Sequence, residues 1–315
     1  MKSGIINIYK EAGYTSFDVC AKLRGILREK KIGHTGTLDP MAVGVLPVCI
    51  GKATKLVGLL TDKPKEYVAE FKLGATSDTQ DNAGTVLKST KMYNENNKLC
   101  FADSDGIKQE LSKEDIVSVI KDFEGRITQL TPMYSARKVD GKKLYEYARA
   151  GILVERKTVT VNIYSISDIV VDTENAVFSM RVLCEKGTYI RTLGNDIGEK
   201  LGCGALMTAL TRTKVDVFDI EQSVKLSELE KLRDEGRLSE VIIGADRLFS
   251  DSKALKLEPK LLKYVYNGNP LRTDNFDISF SDGERVRLYD DKGNFLALYK
   301  YDGGMLKTEA IFFEE

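Results

Sequence analysis

The stretch GHTGTLDP, residues 33–40, places one carboxylate in a loop punctuated by glycine and proline, and it contains His34, the only histidine of the chain. Its two glycines permit positive φ and close backbone approach, while Pro40 fixes its own φ and disfavours helix at Asp39. The apolar residues 43–50 that follow predict a buried strand. We therefore expect Asp39 on a rigid loop. An Asx-type turn, in which the carboxylate only accepts hydrogen bonds from nearby backbone amides, is the alternative.

Strands and helices are predicted to alternate along most of the chain. Periodicity and capping signals predict strands at 4–9, 66–73, 158–163 and 177–184, and helices at 16–31, 112–123, 141–150, 192–201 and 227–235. The first helix is expected to carry Lys30 and Lys31 in its last turn. Residues 86–111 are polar and rich in Asn and Asp, which predicts an exposed insertion. After a join at 250–256, short alternating runs separated by turns predict a small all-β module.

The formal net charge is zero, which argues against an indiscriminate binder of polyanions. Basic residues nevertheless outnumber acidic ones locally, in residues 22–31 and in residues 137–149. Such clusters are typical of solvated helix faces, and beside an active site they form a stripe for a phosphate backbone.

Five scattered cysteines without a CxxC pair indicate reduced thiols and a cytoplasmic protein, with Cys49 and Cys184 in apolar runs and expected in the core. No signal peptide is recognisable, and no apolar run approaches the roughly 20 residues of a spanning helix, so a membrane protein is not expected. A chain of 315 residues exceeds the usual span of one core, which predicts one large and one small domain.

Four long segments carry a family resemblance in the same order along the chain. They are GHTGTLDPMAVGVLPVCIGKATKL (33–56), KEYVAEFKLGATSDTQDNAG (65–84), PMYSARKVDGKKLYEYAR (132–149) and CEKGTYIRTLGNDIGEKLGCGALMTALTRT (184–213). Together they resemble the TruB-type tRNA pseudouridine-55 synthases. The family usually has two prolines where this chain has Thr131-Pro132, a departure that concerns local stiffness and no reacting group.

The resemblance implies an α/β (mixed α+β) fold with a largely antiparallel mixed sheet flanked by helices and an active site in a central cleft. It further implies a catalytic domain at 1–249 and a small PUA-like RNA-binding β domain at 250–315. The implied substrate is the T-stem-loop of tRNA. No cofactor, metal, membrane or obligate protein partner is expected.

Pseudouridine formation breaks the N1–C1′ bond of a uridine, turns the base and rejoins C1′ to C5. It requires a carboxylate beside C1′ and C2′, a pocket for the detached base and exclusion of water. The resemblance implies that Asp39 is this carboxylate, acting either as nucleophile at C1′ or as base at C2′. It implies Arg191 as the guanidinium that orients and ionises Asp39. A surface arginine at a helix start is the alternative for Arg191.

The resemblance also implies a binding pocket for an extracted base. Tyr67 would stack on the uracil, Tyr189 and Leu210 would complete the pocket, and His34 would help to hold the substrate. Plain core packing is the alternative for the first three residues. A metal site at His34 would need further histidines or clustered cysteines, which the sequence lacks. Ser135 is not expected to be a hydrolase nucleophile, because the lone histidine belongs to the Asp39 loop.

Two other functions share parts of this pattern. A guide-RNA-dependent pseudouridylase of the dyskerin type has the same catalytic motifs, and it would be expected to bring basic tails and protein partners; the sequence shows no such tail. A catalytically idle tRNA-binding or tRNA-folding protein is the other alternative. Such a binder has no chemical use for the set formed by Asp39, Tyr67 and Arg191.

Overall fold

The computed structural model describes residues 3–103 and 105–313 of the chain. The strands formed by these residues are Gly4–Lys10 (β1), Ile32–His34 (β2), Val43–Ile50 (β3), Lys65–Leu73 (β4), Ala75–Ser77 (β5), Val86–Ser89 (β6), Tyr93–Glu95 (β7), Lys98–Ala102 (β8), Lys108–Leu111 (β9), Gly125–Leu130 (β10), Lys138–Val139 (β11), Lys142–Lys143 (β12), Thr158–Asp172 (β13), Val177–Cys184 (β14), Ala205–Val215 (β15), Phe218–Asp219 (β16), Lys253–Lys256 (β17), Leu271–Arg272 (β18), Arg285–Tyr289 (β19), Phe295–Asp302 (β20) and Met305–Ile311 (β21).

The α-helices are Ser16–Leu27 (α1), Val57–Thr61 (α2), Lys113–Lys121 (α3), Leu144–Arg149 (α4), Ile190–Lys200 (α5), Leu226–Asp234 (α6) and Pro259–Tyr266 (α7). Short 3₁₀ helices lie at Gly51–Leu56, Ile220–Gln222, Leu238–Glu240, Ala245–Phe249 and Thr273–Asn275. None of the helices within the described ranges combines the length and the apolar composition that crossing a membrane requires.

The chain divides into two units. The first lies within Met1–Pro40, Val45–Thr61 and Val217–Glu315, and the second within Met41–Gly44 and Asp62–Asp216. In the first unit, β3 has β1 and β2 as neighbours. Helices α1 and α6 cover this small sheet, and their apolar faces share its core.

Helix α1 begins and ends where local backbone chemistry dictates. Thr15 caps it in a reciprocal capping box with Asp18, which satisfies backbone donors of the first turn. The helix stops at Leu27 because Arg28 adopts a left-handed conformation with φ 51°. The expectation that Lys30 and Lys31 lie in its last turn was therefore wrong.

The second unit contains a sheet in the order β15–β4–β14–β13–β10, and every one of these neighbouring pairs is antiparallel. The first two residues of β3 add a parallel contact, since Val43 and Gly44 pair with Thr211 and Arg212. Helix α5 packs very closely on this sheet. A side chain on Gly194 would overlap the ring of Phe71.

The polar insertion is more ordered than the sequence indicated. Strands β7, β8 and β9 form a three-stranded antiparallel sheet in which Leu99 to Phe101 are buried. Its first turn uses Asn96 and Asn97, both with positive φ, as two-residue hairpins require. The predicted exposed insertion is thus a folded hairpin pair. Similarly, the helix predicted from residue 141 begins only at Leu144, because Asp140 and Gly141 form the turn between β11 and β12.

The C-terminal residues form a five-stranded sheet, β17–β19–β20–β21–β18, with its own apolar core covered by α7. Its last strand is tied to the rest of the first unit by two lysines. Lys52 Nζ donates to Phe313 O and lies over the Phe313 ring, while Lys55 Nζ donates to Ile311 O at 3.0 Å. The predicted α/β class, with a largely antiparallel mixed sheet and a C-terminal β-module, is confirmed.

The approach of Gly44 to β15 allows a test of this packing. Gly44 has φ 104°, and a Cβ there would lie 2.2 Å from Arg212 O. We expect Gly44→Ala to lower the free energy of unfolding by about 2–5 kcal/mol, from the left-handed backbone and the backbone overlap together.

Gly25→Ala is the matched control. Gly25 is exposed inside α1, and a Cβ there meets nothing within 4 Å. This change should stabilise the protein by about 0.5–1 kcal/mol. Denaturant unfolding measures both variants, and equal effects of the two would contradict the close contact at Gly44.

Candidate active site

Asp39 lies in the first unit on the loop between β2 and β3, and its side chain is partly buried. The loop backbone is fixed on both sides of it. Ser16 Oγ accepts a hydrogen bond from Leu38 N at 2.9 Å, and Pro40 O accepts one from Gly13 N at 2.9 Å. The expected rigid loop is therefore present.

A buried lysine also binds the backbone of this loop. Lys10 has no exposed surface, and its Nζ donates to Pro40 O at 3.0 Å and to Glu11 O at 3.2 Å. Because Pro40 follows Asp39 directly, this ammonium positions the backbone that carries the carboxylate. Sequence analysis did not single out Lys10, whose position in β1 gave it no motif of its own.

His34 is the last residue of β2 and pairs with Val48 across the strands. Its Nδ1 accepts a hydrogen bond from Gly36 N at 3.3 Å, which orients the imidazole within the loop. Gly36 has φ 147°, whereas Gly33 is part of β2 and approaches Val57 so closely that an added Cβ would lie 3.0 Å from its Cγ2. The first glycine serves close approach and the second serves the turn.

Tyr67 and Leu210 share one face of the sheet in the second unit. Tyr67 lies on β4 directly opposite Arg212 on β15, and Leu210 lies opposite Ala69. Positions two apart on a strand, and residues directly opposite each other, face the same side. Tyr67 and Leu210 are 9% and 8% exposed, so an aromatic and an aliphatic side chain are nearly buried there.

Arg191 is nearly buried in the same unit, with 7% of its surface exposed. Its Nη1 donates to Thr79 O at 2.9 Å and its Nη2 donates to Tyr134 O at 2.8 Å. The guanidinium thus ties together three of the four segments on which the family resemblance rests. The alternative of a surface arginine at a helix start is wrong.

Tyr189 occupies the N-cap position of α5, two residues before Arg191, and no side chain caps the helix there. Its backbone is instead held by the amide of Gln129. Gln129 Nε2 donates to Tyr189 O at 3.1 Å, and Gln129 Oε1 accepts from Tyr189 N at 3.0 Å. Sequence analysis missed Gln129.

Two buried cations were also missed. Arg212 is 1% exposed opposite Tyr67, and Lys65 is 5% exposed two positions before Tyr67 on β4. A signal was present for Lys65, which lies two positions before Tyr67 in the alternating pattern of the predicted strand 66–73; no strand was predicted around Arg212. Desolvation, together with the nearby Arg212 charge, lowers the pKa of Lys65 to about 8.

The predicted site residues thus fall into two sets. Asp39 and His34 belong to the first unit; Tyr67, Tyr189, Arg191 and Leu210 belong to the second. Chemically, the first set offers a carboxylate on a fixed loop and an oriented imidazole. The second offers an aromatic and aliphatic surface with buried positive charge, which suits an uncharged base joined to a phosphate backbone.

Metal-binding potential is confined to one cluster among the described residues. Donor atoms of Glu95, Cys100 and Glu110 lie within 4.8 Å of one another, in the insertion. Both carboxylates already bind lysines, since Lys108 contacts each of them at 2.6 and 2.9 Å. Hydrogen bonds from Lys108 and Lys98 lower the pKa of Glu110 accordingly. These ion pairs account for the cluster without a metal.

All five cysteines are free thiols and buried. Cys49 and Cys184 are core residues as predicted, and burial raises the pKa of each to about 12. Neither is therefore a thiolate near neutral pH.

Two family models match the chain. The model described as TruB family pseudouridylate synthase (N terminal domain) matches residues 24–190. The model described as tRNA pseudouridylate synthase B C-terminal domain matches residues 191–250.

Curated relatives agree over nearly the full length. The tRNA pseudouridine synthase B of Lachnoclostridium phytofermentans is 46% identical over 310 residues, covering 95% of this chain and 95% of that protein. The protein of the same name from Clostridium acetobutylicum is 42% identical over 295 residues, covering 94% of each.

Solved structures with the same fold include chains of two larger complexes. A chain of a Cbf5-Nop10-Gar1 complex has a TM-score of 0.69 at 26% identity, covering 98% of this chain and 85% of that one. A chain of an H/ACA RNP bound to a substrate RNA containing 2'-deoxyuridine has a TM-score of 0.68 at 26% identity, covering 99% and 85%.

The low pKa of Lys65 has a measurable consequence. The unfolded chain binds the Lys65 proton up to about its ordinary pKa of 10.5, whereas the folded protein releases it near pH 8. The penalty for burying the charge is therefore complete below pH 8 and disappears as the pH rises to 10.5. We expect the stability of the wild type, relative to Lys65→Met, to increase over this range. Denaturant unfolding of both proteins from pH 7 to 10.5 measures the difference, and parallel curves would contradict the prediction.

Proposed function

Because the chain belongs to the TruB family of pseudouridylate synthases and is a tRNA pseudouridine synthase, we propose that it isomerises the uridine at position 55, in the T-loop, with Asp39 as the catalytic carboxylate. The observation that carries the assignment of Asp39 is the fixation of its loop. Leu38 on one side and Pro40 on the other are bound by Ser16, Gly13 and Lys10. Such preorganisation favours a reacting group over a simple turn.

The carboxylate can perform the reaction by either of two routes. As a nucleophile, Asp39 attacks C1′ while the N1–C1′ electron pair leaves with the uracil, and C5 of the turned base then displaces the carboxylate. As a base, it removes the C2′ proton to give a glycal, which later takes back a proton as C5 joins C1′. In both routes C5 finally loses its proton and N1 of the uracil gains one, so uridine and pseudouridine are isomers. No oxidant, reductant or metal is required.

The remaining predicted residues take their proposed roles around the base. Tyr67 stacks on the extracted uracil, Leu210 and Tyr189 complete its pocket, and His34 contacts the substrate from the Asp39 loop. Two features support this proposal: Tyr67 and Leu210 share one sheet face, and Gly36 orients the imidazole. Arg191 is proposed to orient Asp39 toward the sugar.

RNA binding is proposed to use two further parts of the chain. Residues 137–149 carry exposed basic side chains beside Tyr134, whose carbonyl binds Arg191, and they suit contacts to the phosphates of the T-stem. We assign residues 1–249 to a catalytic domain and 250–315 to a PUA-like RNA-binding domain. The second family model ends at residue 250, which supports this boundary.

The enzyme is proposed to act in the cytoplasm without a guide RNA or an obligate protein partner. The two curated relatives named above are 42% and 46% identical, whereas the chains from the Cbf5-Nop10-Gar1 complex and the H/ACA RNP are 26% identical. This difference favours the stand-alone enzyme over the guide-dependent alternative.

Asp39→Asn tests the catalytic assignment, because it preserves shape and deletes the charge. With purified protein and unmodified tRNA as the only macromolecules, the wild type should convert a T-loop uridine in the presence of a chelator. The variant should form no detectable pseudouridine while its Kd for tRNA stays within about threefold of the wild-type value. Mapping of pseudouridine and a binding titration provide both quantities.

Thermal unfolding and a mass-spectrometric check for Asn deamidation are the controls for this variant. If Asp39 only stabilised a turn, the amide would still accept the backbone hydrogen bonds, and substantial turnover would remain. Multiple turnovers by the folded, undeamidated variant would refute the assignment. Activity of the wild type that requires added metal would refute the metal-free route.

Arg191→Lys tests the proposed electrostatic role of the guanidinium. One ammonium cannot reproduce a planar fork, so single-turnover rates should fall by about 10²-fold or more while tRNA affinity changes little. Arg126→Lys, at an exposed position of β10 outside the proposed RNA contacts, is the control and should leave the rate nearly unchanged. Equal losses of affinity and rate in Arg191→Lys would identify Arg191 as a phosphate contact instead.

A further inference from the structure

Gln129 is the one fully buried position of β10 within the residues described, and it is 1% exposed. The strand alternates exposed and partly buried residues, and an apolar side chain would be the ordinary occupant of its inner face. Burial of a primary amide is unfavourable unless its donor and acceptor are both satisfied. Both are satisfied here by a single residue, Tyr189, 60 positions along the chain.

The Gln129 amide binds both the N–H and the C=O of one residue, as a neighbouring residue does in an antiparallel strand pair. Gln129 Nε2 donates to Tyr189 O at 3.1 Å while its Oε1 accepts from Tyr189 N at 3.0 Å. Tyr189 O also accepts from Leu193 N at 3.0 Å, in the first turn of α5. The amide therefore holds the backbone at the point where the chain changes from extended to helical.

Arg191 lies in the first turn that this contact sets. The direction of α5 at Tyr189 decides where the Arg191 side chain leaves the helix. From there the guanidinium reaches Thr79 O and Tyr134 O, two hydrogen bonds that require its fork in one orientation. A change of the Tyr189 dihedral angles would displace the guanidinium and the Tyr189 ring together.

We propose that Gln129 is a positioning residue for the reaction, which acts by fixing the Tyr189 backbone and through it Arg191. The inference rests on the proposed function, since it gives meaning to the placement of those two side chains. The two hydrogen bonds of the Gln129 side chain described above both go to backbone atoms, and we assign it no contact with the RNA.

Gln129→Glu turns this positioning contact into one that depends on pH. An ionised carboxylate accepts from Tyr189 N but repels Tyr189 O, whereas a protonated carboxyl restores both the donor and the acceptor. Burial beside a carbonyl oxygen favours the protonated form. The single-turnover rate of the variant, divided by the wild-type rate at the same pH, should rise at least tenfold between pH 8.5 and pH 5.5. The Kd for tRNA should stay within threefold of wild type.

Thr131→Val is the matched control. It removes another buried hydrogen bond from a side chain to the backbone just beyond the same strand, that of Thr131 Oγ1 to Lys157 O at 2.8 Å. This variant should lower the midpoint of thermal unfolding and leave the rate ratio flat with pH. A flat ratio for folded Gln129→Glu, or the same pH profile in Thr131→Val, would overturn the proposal.

Gln129→Met serves if Gln129→Glu fails to fold at high pH, because it keeps length and volume without a titrating group. A rate at least tenfold below wild type with unchanged tRNA affinity supports the positioning role. A wild-type rate, or equal losses of rate and affinity, overturns it.

Hydrogen exchange of residues 186–195 gives a readout that does not depend on activity. Exchange at Tyr189 should be faster in Gln129→Met than in the wild type and in Thr131→Val, and unchanged exchange would refute the contact. A wild type that forms no pseudouridine while the exchange result holds would refute the proposed function and leave the backbone contact established.

Discussion

The second unit depends on one buried guanidinium. Arg191 donates to the carbonyls of Thr79 and Tyr134, which belong to two loops far apart in sequence from each other and from α5. Both residues are partly exposed, and a planar fork with several donors can bind the carbonyls of two loops at once. Helix α5 can deliver that fork because Gly194 lets it sit against the Phe71 ring. Close packing of a helix on a sheet thus decides the shape of the loops around the proposed pocket.

Sequence predicted the parts of this architecture that local rules govern. Strand alternation located β4 and β14, and the capping box located the start of α3. Where backbone irregularities enter, alternation fails: β13 continues to Asp172 through two register shifts, so only residues 158–163 were recognised. The site residues also divide into those that a local pattern indicates and those that depend on distant contacts. Lys65 was readable from the alternation of the predicted strand 66–73. Arg212 was not, because no strand was predicted around it. The contact of Gln129 with Tyr189 joins positions 60 residues apart, and no local sequence pattern predicts it.

The net charge of this protein does not reveal that several of its cations are buried. The chain is formally neutral, yet Lys65, Arg191 and Arg212 are all nearly buried in the second unit as described here. Burying cations is costly, and it is tolerated where they are held by hydrogen bonds and serve a fixed electrostatic purpose. Zero net charge combined with buried cations favours a ligand that joins an uncharged base to nearby phosphates over polyanions in general. Buried cations of this kind suit selective binding of a folded RNA.

The order in which the units are completed follows from the route of the chain. Most of the second unit is one continuous segment, Asp62–Asp216, whereas the first is closed only when β1 meets residues far downstream, through the bridges Ile8 to Val224 and Ile5 to Ile243. Contacts between such distant positions form slowly and wait for synthesis of the later residue. On the ribosome, the sheet bearing Tyr67 is therefore complete while the scaffold beneath Asp39 still lacks its closing partners. Folding of a nascent chain is therefore expected to begin in the second unit and to end with the closure of the first.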